Sequence, residues 1–235
     1  MTRPADYPAR QALNDEVHAR PPEPLRAPSR VSYLALLSPP AAREAERAGV
    51  VNLCERFGAP APGNHANHHS ADLGAFRLVW ERHSEFVRYT FIAPAHEPDA
   101  PWTEPPALSL VPDDWLATLP GEVIVATHAI LARDLGQRPH GEIAAAMFDG
   151  NLLVGCDVAG GAAFACTDFR IHADGFGRLL IDDRGLTSRQ AGRTLQRLLE
   201  IDTYRMMALL ALPVAQAEAP FVAECERELK GIATA

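Results

Sequence analysis

The segment from Asp168 to Leu210, DFRIHADGFGRLLIDDRGLTSRQAGRTLQRLLEIDTYRMMALL, constrains the fold more than any other part of this 235-residue chain. It couples a strand, a tight turn at Asp174-Gly175 and a second strand to a long helix. Thr187 and Gln190 stand three residues apart where that helix begins, the spacing of a capping box. Leu195, Leu198, Leu199, Met206, Leu209 and Leu210 supply its core stripe, and Ile201, Tyr204, Ala208 and Leu212 widen it. A helix apolar on most sides must be covered by other elements or by a partner chain. Asp202 falls inside the stripe, so it predicts an arginine or backbone donor beside it, because a lone buried carboxylate is costly. Pro213 is expected to break the helix, and a second one is predicted over 215–230, with Phe221, Val222, Cys225 and Leu229 on one side and glutamates on the other.

The rest of the chain reads as sheet with intervening irregular segments. Residues 1–30 form a proline- and arginine-rich arm, and Val31 to Leu37 a first strand. A helix is predicted over AAREAERAGVVNLCERFG, with Ala45, Ala48, Val51, Leu53 and Phe57 as its apolar positions. Residues 59–70 read as a loop. Phe76–Glu81 and Val87–Phe91 alternate across a short polar turn and should pair antiparallel. Seven prolines over 93–120 mark an irregular connection, with one helical turn at Pro112 to Leu119, before an apolar strand from Glu122 to Leu131. Turn signals at Asp149-Gly150, Gly160-Gly161 and Asp174-Gly175 then predict an antiparallel meander of strands 142–148, 152–158, 162–172 and 176–182. Ala144-Ala145-Ala146 suits a helix equally well. The expected architecture is α+β. An antiparallel meander sheet carries helices on one side, and a C-terminal helical pair follows. Its parts are an arm over 1–30, a domain over 31–186 and helices over 187–235.

Charge and cysteine usage bound the function. Net charge is -8 and Lys230 is the only lysine, which argues against a nucleic-acid partner. Cys54, Cys156, Cys166 and Cys225 are scattered without a CxxC pair, so they read as reduced, buried thiols of a cytoplasmic protein. The N-terminus lacks the apolar core of a signal peptide. The run Met206 to Ala215, interrupted by Pro213, falls short of the roughly 20 residues of a membrane span, so the chain reads as soluble. There is no P-loop, GxGxxG, GxSxG or HExxH motif, and no cofactor is identifiable.

Three clusters carry candidate chemistry. Asp168, Arg170 and His172 alternate, which places them on one strand face, with Arg178 and Asp182 near on the next strand and Glu81, Arg82 and His83 able to join from another hairpin. A carboxylate that orients a histidine supports acid–base work, the arginines suit an anion, and a salt-bridged polar sheet face needs neither. His65, His68 and His69, with Asp72 beyond, offer imidazoles to zinc or nickel, against the alternative of a solvated polar loop. Asp15, Glu16, His18 and Arg20 sit in the arm and suggest docking onto the domain's own sheet, with Asp15 or Glu16 on Arg170 or Arg178.

The words NDEVHARP (14–21), WERHSEF (80–86), TDFRIHADGFGRLLI (167–181) and RQAGRTLQRLLEIDTYRMMALLALP (189–213) resemble a bacterial family of membrane-anchored proteins with a domain of unknown function. The resemblance runs from about Asn14 to Leu212. It implies longer members that continue into a coiled-coil-like region and two membrane spans, a layout similar to that of CorA-type magnesium channels. It implies inner-membrane anchoring of the parent proteins and supplies no catalytic residues. The chain is then expected to be the soluble cytoplasmic part of such a protein. It would be a non-enzymatic sensory or assembly module that self-associates through its C-terminal helices and meets a membrane only through a segment beyond Ala235. The rival readings are a small-molecule or metal-dependent enzyme using Asp168, Arg170 and His172, and a divalent-cation sensor.

Overall fold

Eight strands form one sheet in the order β2-β3-β4-β1-β5-β8-β7-β6. The computed structural model describes residues 4–11, 21–97, 100–133, 135–136 and 138–233. β1 (Ser29–Leu37) lies at the centre, between β4 (Phe86–Pro94) and β5 (Glu122–Arg133). Its near-continuous apolar run follows from burial on both faces. Val31, Tyr33 and Ala35 point to one side, and Leu34 and Leu36 to the other. β2 (His68–Asp72) and β3 (Arg77–Arg82) extend the sheet beyond β4, all antiparallel. β6 (Val154–Val158), β7 (Ala163–Thr167) and β8 (Gly177–Asp183) form the expected meander, but β8 pairs parallel with β5, from Thr127↔Gly177 to Arg133↔Asp183.

The α+β architecture and the C-terminal helical pair are as the sequence predicts. The helices, however, lie on both faces of the sheet rather than on one. α1 (Arg43–Arg56) packs Val50, Leu53 and Cys54 against Leu34, Leu36, Leu78 and Trp80. α3 (Ser188–Leu209) packs Ala191, Leu195 and Leu199 against Val31, Tyr33 and Ala35 on the opposite side. The sheet is therefore a middle layer. α4 (Leu212–Ala233) follows α3 after a two-residue turn at 210–211. Pro213 falls in the first turn of α4, where its missing N–H leaves nothing unsatisfied. Thr187 and Gln190 form the predicted capping box reciprocally.

Other local expectations are corrected. Segment 142–148 is not a strand; α2 (His140–Met147) starts after Pro139 and buries Ile143 and Met147, one turn apart, against Ile130, Ala132 and Leu180. The strand expected over 162–172 stops at Thr167. Phe169 takes φ +54, and the Asp168 carboxylate accepts the Arg170 N–H two residues on, a turn that competes with the ladder. Part of the loop expected at 59–70 is strand β2. The buried face of α1 is Glu46, Val50, Leu53 and Cys54, whereas Ala45 and Ala48 are exposed. Of the cysteines, Cys54 and Cys166 are buried and Cys156 is exposed.

Candidate functional site

The polar residues singled out in the sequence fall into separate clusters. Asp168 and His172 do meet, in the loop after β7 rather than along a strand. The Asp168 carboxylate is fully buried, and accepts from His172 Nε2 at 2.9 Å and Asn151 Nδ2 at 2.9 Å. His172 Nδ1 lies 2.9 Å from Asp149 Oδ2. Both ring nitrogens are thus committed to carboxylates, and neither faces an open space where a substrate proton could sit. A general base needs such a free nitrogen within reach of its substrate. The cluster instead ties the 168–172 loop to the turn at 149–151. Arg170 contributes its backbone N–H, while its side chain is exposed.

Arg178 belongs to a neighbouring cluster whose centre, His128, the sequence reading missed. Its one signal was a polar residue on the inward alternation of the apolar strand EVIVATHAILAR. His128 stacks on Phe176 with ring centroids 4.0 Å apart, and Arg178 Nη2 holds Asp174 at 2.7 Å. Ser32 Oγ accepts the Leu108 N–H at 3.0 Å and shares a hydrogen bond with His128 Nδ1 at 2.9 Å. Ser32, His128 and Asp174 echo a hydrolytic triad, yet His128 Nε2 is 3.9 Å from Asp174, beyond a hydrogen bond, and Ser32 is sealed inside the central strand. Burial pushes the His128 pKa down to about 4, with the Arg178 cation adding to the effect and Asp174 opposing it. The unfolded chain takes up this proton near pH 6.5 and the folded chain only near 4. Stability from this residue is therefore complete above about pH 6.5 and drains away as pH falls toward 4. Urea melts at pH 7, 5.5 and 4.5 should show wild type losing more stability than His128→Gln across that window, with parallel losses as the refuting result.

Glu81 and Arg82 part company, because successive strand residues face opposite sides, and His83 lies just past the end of β3. Arg82 turns to the α1 side and bonds Glu46, both fully buried, while His83 stacks on Phe86 with centroids 4.3 Å apart. Glu81 turns to the α3 side and bonds Arg88, its direct cross-strand partner. Arg88 Nη1 also donates to Glu200 Oε1 of α3 at 3.0 Å, and Gln196 Nε2 donates to the same oxygen at 2.8 Å. Burial disfavours the Arg88 charge, but the hydrogen bond and charge of Glu81 outweigh it and hold the pKa above the usual arginine range. Beside it Tyr33 OH meets Thr203 Oγ1 at 2.8 Å, and Thr203 donates to the Leu199 carbonyl. Burial pushes Tyr33 up to about 12. Of the Glu81 cluster, Arg88, Glu200, Gln196, Tyr33 and Thr203 are missing from the sequence prediction; nothing in the sequence says that β4 and α3 meet.

A cavity of about 40 Å³ lies among Tyr33, Glu81, Arg88, Gln196 and Gly192, beneath the arm segment 21–25. That is room for about one water. One guanidinium between two carboxylates offers no surplus positive charge to an anion. The segment above is strapped down by Glu23 on Arg77 at 3.1 Å and by Leu25 N–H on the Ser188 carbonyl at 2.9 Å. The arm thus docks on the domain through Glu23; Asp15, Glu16, His18 and Arg20 lie outside the described residues. Asp202, as predicted, has an arginine beside it, Arg205 at 2.6 Å.

The histidines proposed as metal ligands do not converge. His65 is exposed in the loop, and His68 and His69 are neighbours on β2 and face opposite sides. His69 Nε2 is 2.9 Å from the Pro60 carbonyl. Asp72 caps the turn at Gly74. Among the described residues no group of three or more His, Cys, Asp or Glu side chains is placed to hold a metal ion.

Residues 5–235 match the family model described as protein of unknown function (DUF3422). The chain belongs to this family. No curated protein and no solved structure matches it.

Proposed function

We propose that the chain is a non-enzymatic assembly module of a membrane-associated protein, in which the sheet is a rigid base and the C-terminal helical pair is the part that engages the bilayer. One observation carries this reading. α3 is fixed to the sheet through Arg88–Glu200 and Tyr33–Thr203, Met206 and Met207 still pack on the core, and from Ala208 to the end of α3 the residues are exposed. Leu209, Leu210, Leu212, Val214, Phe221 and Val222 are all exposed. The helical run Ser188–Lys230 is long and apolar enough to cross a membrane by length and composition, and its qualifying window is wholly unburied. Continued past Ala215 through Ala223, the apolar run that starts at Met206 contains Glu218 as its one charged residue. Prolines such as Pro213 and Pro220 are tolerated in such helices. The buried charge network suits a mechanical coupling: whatever moves the helices moves Arg88 and, through it, the sheet. Against an enzymatic reading stand the two committed nitrogens of His172 and the sealed Ser32.

The test is flotation with neutral phosphatidylcholine vesicles, which removes electrostatic attraction from the outcome. Wild type is expected to rise with the vesicles, and a Leu209→Gln, Leu210→Gln, Leu212→Gln, Val214→Gln variant to stay at the bottom with unchanged circular dichroism of the sheet. Wild type that stays at the bottom overturns the reading, and if it sediments as an oligomer that the four glutamine substitutions dissociate, the helices serve self-association instead.

A further inference from the structure

The two edges of the sheet are finished differently. At β2 the preceding loop folds back, with Pro60 held by His69, and His68, His69 and Ser70 are half-buried. At β6 the residues Val154, Gly155, Cys156 and Asp157 are all exposed, and no described strand pairs with its outer side. Natural edges are blunted by lysine, proline or bulges. The stretch NLLVGCDV (151–158) has none of these: Asp157 is its one charged side chain, and its register with β7 is unbroken from Val154↔Thr167 to Val158↔Ala163. Val154, Cys156 and Val158 continue the row of Ala163 and Ala165 that α3 helps to bury. α3 is tied to β4 and β1 and lies against β5, and the end of that row is left uncovered, so that Val154 is 53% and Leu152 88% exposed.

We propose that this edge pairs antiparallel with β6 of a second copy, about a two-fold axis through Cys156. The self-complementarity of the strand selects the occupant and the register. Val154 falls opposite Val158 of the second copy, Gly155 opposite Asp157, and Cys156 opposite Cys156. Two β-branched pairs form and no like charges face each other. Centring the axis on Asp157 would set two aspartates face to face, and centring it on Gly155 would set Leu153 against Asp157. Such an isologous contact closes on itself and joins two sheets into one. A ladder this short buries less than the roughly 1,200 Å² of a standard interface, so the dimer is expected to depend on concentration.

Cys156 makes the arrangement testable in the full chain. Opposed Cα atoms in an antiparallel pair lie about 4.5–5.5 Å apart, within the span of a disulfide. Under copper phenanthroline the two thiols give up two protons and two electrons to the oxidant and form one reducible bond. Cys54 and Cys166 are buried, and Cys225→Ser leaves Cys156 as the accessible thiol. The expected results are a crosslinked dimer in Cys225→Ser, loss of the crosslink but not of the sedimenting dimer in Cys156→Ser, and loss of both in Val154→Lys, whose long side chain projects from an already exposed position. A monomer at every concentration, a dimer indifferent to Val154→Lys, or crosslinking through Cys225 alone overturns the proposal. Vesicle flotation is expected to be unaffected by Val154→Lys, so the fate of this edge is separable from that of the helical pair.

Discussion

Arg88→Met is expected to lower folding stability by about 3–5 kcal/mol, the usual cost of removing one partner from a buried ion pair. The Glu81 carboxylate stays behind, 5% exposed and bonded until then to Arg88. Glu200 suffers less, because at 30% exposure it can turn toward water. The double variant Glu81→Leu, Arg88→Met separates charge from packing. An apolar pair of similar volume is often neutral against the ion pair it replaces, so most of the loss should return. Urea unfolding of the four proteins of this cycle measures the coupling. A loss below about 1 kcal/mol in Arg88→Met would mean that Glu81 finds another donor, and that the network does not fasten α3 to the sheet.

Gly192→Ala is expected to lose about 2–3 kcal/mol, the scale of overpacking against backbone that cannot yield. In an ordinary helix interior the same change gains up to about 1 kcal/mol. Here a Cβ would stand 1.8 Å from the Glu23 carbonyl oxygen and 2.8 Å from its carbon. The arm must lift, and the burial of Leu25 and Ala27 goes with it. Trypsin should then cut after Arg26 at a rate that wild type resists. Gly141→Ala in α2 is the matched control, since nothing lies within 4 Å of its Cβ position. Equal stability in the Gly192 variant and wild type would show that the strap is not seated on α3.

What could be read in advance was local. Thr187 and Gln190 announce a helix start through their own hydrogen bonds, and the alternation in β3 and β4 announces a hairpin through the turn between them. The clusters needed tertiary information. Glu81 and Arg88 were visible as polar residues in apolar strands, but whether they face water or a helix depends on α3, more than a hundred residues later. His128 looked like an ordinary strand residue because its partners, Ser32 and Phe176, arrive from a distant strand and from the turn before β8. The expected row Asp168, Arg170, His172 failed for a local reason: an aspartate side chain captured the backbone N–H that a strand would have spent on its ladder. Placing all helices on one side failed because β1 carries apolar residues on both faces, a pattern that a short strand shares with many buried segments.

The position of β1 bears on how the chain comes into being. It is made before the other described strands, yet its neighbours β4 and β5 are the third and fourth of these after it, and the helix covering its Tyr33 face comes later still. At about 5–20 residues per second, a ribosome needs on the order of ten seconds to progress from the end of β1 to the end of β5. Throughout that interval an apolar strand waits with open hydrogen-bonding edges. Emergence during synthesis is thus the stage at which this protein most needs shielding by a holding factor at the exit tunnel, and slow translation would lengthen the exposure rather than relieve it.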